Sequence, residues 1–249
     1  MTKIHTAMLM SAGLGTRMRP LTDDRPKPMI EVAGRSLIDR LLDKLVGIGI
    51  ERAVVNVHYF ADMLEAHVTG RTDIEVLVSD ERDCLLETGG GVVKAAPLLG
   101  DDPVFILNTD SCWSDETDTS LQDMIRSYDE DRMDALLMLA RRDHSMGYDG
   151  PGDFLLHEDG RLERRGDRPD APFAYAGVYI MRPGLVADRK VEPFSANAYW
   201  NDFLARGRLH GCVMAPYWMH VGDPASRDKA SQWLLDNEGG ARETTGRSN

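Results

Sequence analysis

The sequence predicts an α/β fold with a doubly wound, mainly parallel sheet and an inserted substrate-binding region. Three observations carry that prediction. Short β-rich runs alternate with helical patterns over residues 6–110, the ordering expected of right-handed βαβ units. A glycine turn at Gly13 and Gly15 follows the first apolar run, and Asp110 follows the fourth. In open parallel sheets ligands bind beyond the carboxyl ends of the strands, at a topological switch point, so both features belong on that edge.

Residues 7–11 (AMLMS) form a short apolar run and read as the first strand. Residues 37–47 carry apolar side chains at helical spacing and stop near Gly47 and Gly49, glycines that commonly end helices. A second strand at 52–57, a helix at 60–68 and a third strand at 74–79 follow. Residues 91–99 predict a helix that Pro97 should end, since proline lacks the N–H that continues the ladder. Residues 103–108 (PVFILN) read as a fourth buried strand. The pattern then gives a helix at 121–128 and a buried strand at 135–140. Residues 141–172 are rich in Gly, Asp, Arg and Pro, with short strands expected at 154–157 and 161–164. A strand at 175–181, a helix at 199–206, a strand at 209–215 and a closing helix at 227–237 complete the chain. No internal repeat or linker interrupts it, so residues 1–237 read as one domain. Residues 238–249 have the composition of a flexible tail.

The 249 residues carry a formal net charge of −12 and a pI near 5.0. That balance argues against nonspecific binding to nucleic acid or an anionic membrane. No apolar run approaches the roughly 18 residues of a membrane span. The N-terminal MTKIHTAMLM lacks a signal peptide's long apolar run and cleavage site, which predicts a cytoplasmic protein. Cys84, Cys112 and Cys212 are odd in number and widely spaced, so free thiols are expected rather than a disulfide framework.

Against that acidic background, residues 9–29 read LMSAGLGTRMRPLTDDRPKPM. Gly13 and Gly15 let the backbone turn tightly and present N–H groups to a phosphate. Arg17 and Arg19 add guanidinium forks that match phosphate oxygens. Lys27, between Pro26 and Pro28, is expected on a stiffened extended segment that aims its ammonium across the site. Together these groups suit a polyphosphate, although neither common nucleotide-loop pattern is present. Asp110 is the only carboxylate closing its apolar strand, a position for a hard oxygen ligand to Mg²⁺. Asp115 reads as a helix-cap or turn residue.

AGLGTRMRPLT followed by RPKPM closely resembles the signature of the sugar-1-phosphate nucleotidyltransferases, and the similarity spans about residues 4–235. LLETGGGVVKAAPLLG (85–100) resembles the base-binding loop of the branch that acts on N-acetylmuramate 1-phosphate with UTP. ILNTDSCW (106–113) resembles the family's metal-binding strand end, and YAGVYIM (175–181) its sugar-binding strand. The resemblance implies a Rossmann-like fold and transfer of a nucleotidyl group to a sugar 1-phosphate with release of pyrophosphate. Here the substrates would be UTP and N-acetylmuramate 1-phosphate, giving UDP-N-acetylmuramate for cell-wall sugar recycling. It divides the domain into a nucleotide-binding part over about 1–115 and a sugar-phosphate-binding part over about 135–225.

By the same resemblance, Ser11, Ala12 and Gly13 would hold the nucleoside, and Gly15, Thr16 and Arg17 the triphosphate. Lys27 would lie between the reacting phosphates, making Arg17, Lys27 and Asp110 the catalytic set. Thr88, Gly89 and Gly90 would edge the base, glycine letting a flat ring approach the main chain. For Glu87 and Lys94 a structural role and a ligand contact both stay open. Asp153, Tyr175, Gly177 and Asn197 would serve the sugar phosphate. Family members often carry an aspartate in a W-x-D-x-G-T segment as second metal ligand. This chain reads WMHVGDP (218–224), with His220 at that place and Asp223 where the threonine would be. Imidazole is a poor ligand for Mg²⁺ but serves Mn²⁺ or Co²⁺. His220, Asp223, or water around Asp110 would therefore complete the shell. A guanylyl- or thymidylyltransferase acting on mannose, heptose or glucose 1-phosphate is the enzymatic alternative. A weakly catalytic regulator that binds nucleotide sugars is the other. Monomer and homodimer both stay open.

Overall fold

The computed structural model describes residues 3–114 and 119–238. The chain opens on β1 (Thr6–Met10), a hairpin of β2 (Glu31–Val32) and β3 (Arg35–Ser36), and helix α1 (Leu37–Gly47). β4 (Arg52–Val57), α2 (Ala61–Thr69), β5 (Glu75–Asp80) and α3 (Glu87–Leu99) follow. Next come β6 (Val104–Asn108), β7 (Ser111–Trp113), α4 (Ser120–Ser127), β8 (Ala135–Arg141) and β9 (Ser145–Met146). The last part holds β10 (Phe154–Leu156), β11 (Leu162–Arg164), β12 (Phe173–Met181) and α5 (Asn197–Ala205). It ends in β13 (Leu209–Val213), β14 (Trp218–His220) and α6 (Pro224–Glu238).

Nine strands make one mixed sheet whose centre, β5-β4-β1-β6, is parallel. β12 runs antiparallel to β6 and is the shared strand between the two halves of the domain. One of its edges carries β8; the other carries β6 along its second half and β10 at Phe173. β13 pairs parallel with β8, and β11 antiparallel with β10. Following these pairings, β12 and β11 run one way and the other seven of nine strands run opposite. The sheet is therefore mostly parallel, as the alternation of elements predicts.

Parallel strands must be covered on both faces, and the sequence alternation does this. Ala7 and Leu9 of β1 join Ala53 and Val55 of β4 in the core beneath α1 and α2. Met8 and Val54 point the other way, into the core beneath α3 and α5. Ser36 starts α1 by accepting the Asp39 N–H at 3.1 Å, and Leu37, Ile38, Leu41, Leu42 and Leu45 form its buried stripe. The apolar stripe explains why this helix was legible in sequence, and the Ser36 cap adds a start signal that the structure reveals.

The structure corrects several expectations. α3 begins at Glu87, four residues earlier than periodicity indicates, and Pro97 lies inside its last turns. Glycine-rich helix starts have poor intrinsic propensity, so tertiary contacts decide this one. The Gly89 and Gly90 N–H groups both donate to the Phe194 carbonyl, at 2.8 and 3.2 Å. A Cβ at Gly90 would collide with the Glu192 carbonyl oxygen. Lys27 does not sit on an extended segment: it opens a 3₁₀ turn, Lys27–Met29, after extended Pro26. The short strands expected at 154–157 and 161–164 appear as β10 and β11, whereas the two-residue strands and three-residue β7 and β14 escaped the sequence patterns. Among them β7, β14 and β9 form a separate sheet that matters for the site. Cys84, Cys112 and Cys212 are free thiols. No helix among the described residues is long and apolar enough to cross a membrane. Asp115 and the expected tail, from 239 onward, lie outside the described residues.

The glycine contacts separate two kinds of substitution. Gly90→Ala is expected to cost about 1–3 kcal/mol from overpacking against main chain. Gly47→Ala, at the end of α1 with no atom within 4 Å of its Cβ position, should be neutral or stabilising by up to about 1 kcal/mol. Urea unfolding midpoints check both.

Candidate active site

A cavity of about 520 Å³ opens at the carboxyl ends of β1, β4 and β6, against the start of α3. Ser11, Ala12 and Gly13, leaving β1, form one wall, and Gly15, Thr16 and Arg17 continue it. The turn needs its second glycine. Gly15 has φ +61°, and a Cβ there would lie 3.0 Å from Thr22 Cγ2 and 3.1 Å from Lys27 Cβ. The Gly15 carbonyl accepts from Thr22 Oγ1 at 2.9 Å and from the Met18 N–H at 2.9 Å. These bonds lock the turn.

The two arginines part company. Arg19 pairs with Asp23 at 3.5 Å, whereas Arg17 is exposed, lines the cavity and has no ion-pair partner among the described residues. Across the cavity, Lys27 Nζ donates to Asp110 Oδ2 at 3.0 Å, with both side chains largely buried. Burial pushes the Asp110 carboxyl up, but the charge of Lys27, that of His220 when it is protonated in acid, the Lys27 hydrogen bond and Arg17 outweigh it. The carboxyl stays below its ordinary value and is ionised at neutral pH.

The small sheet delivers His220 to this pair. β14 lies antiparallel to β7 with His220 opposite Ser111, and the Val221 N–H donates to the Asp110 carbonyl at 2.9 Å. Burial lowers the imidazole pKa; Asp110 opposes this, while Lys27 and Arg17 reinforce it. His220 is therefore a neutral imidazole at neutral pH. Gly222 lets it in: a Cβ there would sit 2.9 Å from His220 Nε2 and 3.6 Å from Arg17 Nη1. Asp223 has different work. Its Oδ1 accepts the Ser226 N–H at 2.7 Å and its own N–H donates to Ser226 Oγ at 3.0 Å, capping α6.

A buried polar network beneath the cavity was not foreseen. The Ser11 N–H donates to Asn56 Oδ1 at 2.5 Å, and Asn56 Nδ2 donates to Glu81 Oε1 at 2.8 Å. Glu81 Oε2 accepts the Leu86 N–H at 3.0 Å. This relay joins β1, β4 and β5 to the residue before α3, and so ties one cavity wall to the other. Burial raises the Glu81 carboxyl pKa, against the Asn56 and Leu86 hydrogen bonds and the charges of Lys94 and His58. A polar residue inside the apolar run RAVVNV was the available signal.

On the far wall Glu87 and Thr88 line the cavity, Glu87 with an uncommon φ of +58°. Thr88 Oγ1 accepts the Ala196 N–H at 2.9 Å. Gly89 and Gly90 are not among the lining residues; their closeness serves the 192–195 main chain instead. Asp153, Tyr175, Gly177 and Asn197 also lie outside the lining and gather around β12. Asp153 Oδ2 accepts the Tyr175 N–H at 2.9 Å. Tyr175 sets its ring against Trp200, and its buried hydroxyl has no hydrogen-bond partner among the described residues. Gly177, at φ +83°, sits where the β12–β8 register jumps, and a Cβ there would lie 2.9 Å from Ser111 Cβ. Asn197 Oδ1 accepts from Arg164 Nη2 at 2.6 Å.

Residues 6–237 match the family model described as Nucleotidyl transferase. The chain belongs to the nucleotidyltransferase family. It is 46% identical over 234 residues to N-acetylmuramate alpha-1-phosphate uridylyltransferase of Caulobacter vibrioides, covering 92% of this chain and 97% of that one. It is 26% identical over 228 residues to the mannose-1-phosphate guanylyltransferase catalytic subunit beta of Danio rerio, covering 88% and 61%. Solved structures share the fold. HddC from Yersinia pseudotuberculosis, complexed with GMP-PN, aligns with TM-score 0.74 at 22% identity, covering 93% and 100%. A UDP-glucose pyrophosphorylase complexed with UDP-glucose aligns with TM-score 0.76 at 16% identity, covering 94% and 99%. This chain is thus a sugar-1-phosphate nucleotidyltransferase, and its fold is that of its relatives.

Nucleotidyltransferases generally use a divalent metal, and the residues around Asp110 can be asked whether they fit one. No three or more His, Cys, Asp or Glu side chains cluster as a metal site among the described residues. Asp110 offers one ionised carboxylate whose Oδ1 accepts no hydrogen bond there, and neutral His220 stands beside it. That donor set fits a cation that takes its remaining ligands from phosphates and water, the habit of Mg²⁺.

Glu81→Ala is expected to leave the Asn56 amide and Leu86 N–H unpaired, lowering stability by about 2–4 kcal/mol. The same variant should raise KM for the nucleotide more than it lowers kcat. Urea unfolding and steady-state kinetics measure the two effects.

Proposed function

We propose that this nucleotidyltransferase transfers a uridylyl group from UTP to N-acetylmuramate 1-phosphate, giving UDP-N-acetylmuramate and pyrophosphate. The observation that supports the chemistry is Arg17, without an ion-pair partner among the described residues, lining one cavity with the buried Lys27–Asp110 pair. Support for the acceptor comes from the near-full-length 46% identity to the Caulobacter uridylyltransferase. Such a product suits recycling of cell-wall sugars in the cytoplasm, where UTP is made.

In this reading a phosphate oxygen of the sugar 1-phosphate attacks the α-phosphorus of UTP in line. The bond to the bridging oxygen breaks, and pyrophosphate leaves with its electron pair. The nucleophile is already anionic, so no general base is required, and catalysis reduces to positioning and charge neutralisation. Ser11, Ala12 and Gly13 hold the nucleoside, with Thr88 at the edge of the base. Gly15 and Thr16 lay backbone N–H groups against the triphosphate, and Arg17 offsets charge on the departing pyrophosphate. Lys27 exchanges its carboxylate partner for the phosphates that meet at the reacting centre, as cationic clamps do in phosphoryl transfer. Asp110, with His220 rather than helix-capping Asp223 as second ligand, would hold the divalent ion, which supplies further neutralisation of phosphate charge. Mg²⁺ suits the carboxylate; the imidazole also admits Mn²⁺ or Co²⁺. Asp153, Tyr175, Gly177 and Asn197 frame the acceptor sugar.

A panel of four nucleoside triphosphates against several sugar 1-phosphates, read by pyrophosphate release, tests the substrate pair. Highest kcat/KM with UTP and N-acetylmuramate 1-phosphate is expected; preference for GTP or dTTP with a neutral sugar would overturn it. Lys27→Ala and Asp110→Ala should each reduce turnover by at least about 100-fold, and near-normal Asp110→Ala activity would end the metal assignment. His220→Asp should move the ratio of Mg²⁺- to Mn²⁺-supported rates toward Mg²⁺ by about tenfold.

A further inference from the structure

Residues 141–168 hold six arginines: three form ion pairs, and Arg142 and Arg165 donate to main-chain carbonyls. Arg141 pairs with Asp143, Arg161 with Asp159 and Arg168 with Glu163, all at the surface. Arg164 is different. It is half-buried, its guanidinium carbon lies 4.7 Å over the Phe154 ring, and it has no ion-pair partner among the described residues. Asp153 reaches it through its field alone, with one carboxylate oxygen engaged by the Tyr175 N–H. Burial lowers the Arg164 pKa against the field of Asp153, so the site withholds solvent from a cation that no carboxylate among the described residues contacts.

What holds it in place are neutral groups. Nη2 donates to Asn197 Oδ1 at 2.6 Å and to Asn201 Oδ1 at 3.1 Å, one helical turn apart on α5. Nε and Nη1 donate no hydrogen bond among the described residues. Two amides and an aromatic face fix the guanidinium plane, and the remaining N–H groups keep their capacity for an anion. The location is next to the active site. Asn197 hydrogen-bonds Ser195 Oγ, and Ser195 lines the cavity beside Thr88.

N-acetylmuramate 1-phosphate differs from N-acetylglucosamine 1-phosphate by one group, a lactyl ether that ends in a carboxylate. A chain of net charge −12 repels such an acceptor unless a local cation receives it. We propose that Arg164 receives the lactyl carboxylate and is the specificity-determining residue that separates this acceptor from neutral sugar phosphates. The proposal rests on the acceptor reading given above. Charge-assisted guanidinium–carboxylate bonds in a desolvated site are strong enough to govern such a choice. Asn197 then acts as a positioning residue for Arg164 rather than as the sugar's own partner.

The test compares kcat/KM for N-acetylmuramate and N-acetylglucosamine 1-phosphates, with UTP, in wild type, Arg164→Gln and Arg164→Lys. The wild-type preference is expected to fall by about 30-fold in Arg164→Gln, equivalent to roughly 2 kcal/mol. Arg164→Lys should restore part of it, since charge returns without the planar fork. UTP binding by calorimetry reports that each variant is folded. Equal loss on both acceptors, or an unchanged preference, overturns the role of Arg164 and leaves the acceptor reading standing. A wild-type enzyme that rejects N-acetylmuramate 1-phosphate while using neutral sugar phosphates overturns the acceptor reading, and this proposal with it.

Discussion

The ion pair between Lys27 and Asp110 is the interaction on which the site depends. It joins residues 83 positions apart, one on a loop after β1 and one at the end of β6, across the switch point of the sheet. Taking either charge out of water alone would cost several kcal/mol. Taken together they neutralise each other, and Lys27 is ready to trade a carboxylate for phosphate oxygens. The pair also screens Arg17, which would otherwise face a second bare cation. An acidic protein can thus hold a cationic pocket that neither collapses onto its own carboxylates nor repels itself apart.

The surroundings of the pair are built to keep it still. Val221 binds the Asp110 carbonyl from β14, Thr22 fastens the Gly15 carbonyl, and Asn56 fixes the Ser11 N–H through Glu81. Each is a buried polar contact whose loss strands a partner, so the network enforces geometry more than it adds net stability. Glu81 shows this most clearly. A buried carboxylate just past the end of β5 is an expensive acceptor, yet it satisfies two donors from two different walls with one rigid group. Its cost is spent on fixing the distance between the nucleotide turn and α3.

Much of this was legible in the sequence, for identifiable reasons. Elements with their own local signal were readable: α1 through its apolar stripe and the glycines that end it, β4 through a largely apolar run. So was the gathering of Gly13, Gly15, Arg17 and Lys27 at one cavity, because glycines, arginines and a lysine flanked by prolines have few structural reasons to congregate. Elements decided by distant contacts were not. The start of α3 depends on the Phe194 and Glu192 carbonyls, about 100 residues on, and its glycines read as a ligand's approach when they admit main chain. β7 and β14 are too short to show a period, so the placement of His220 beside Asp110 could be guessed only by family resemblance. Asn56 and Glu81 drew no reading from sequence, since nothing local tells a buried carboxylate from an exposed one.

The same division explains why the acceptor is harder to read than the nucleotide. In the proposed reading the nucleotide side is one continuous turn, one strand end and the first residues of α3, all at the carboxyl edge of the parallel centre of the sheet. The residues proposed for the sugar gather around β12, where the sheet forks: β6 takes half of one edge, β10 takes the end, and β8 runs along the other. Their side chains come from β10, β11, β12 and α5, each holding another rather than a shared ligand. Arg164 leans on Asn197, Asn197 on Ser195, and Asp153 on Tyr175. A substitution anywhere in that chain re-aims the rest without touching the phosphate chemistry. Acceptor choice can therefore change while the reaction stays the same, and in the role proposed for Arg164 a single half-buried cation would shift it.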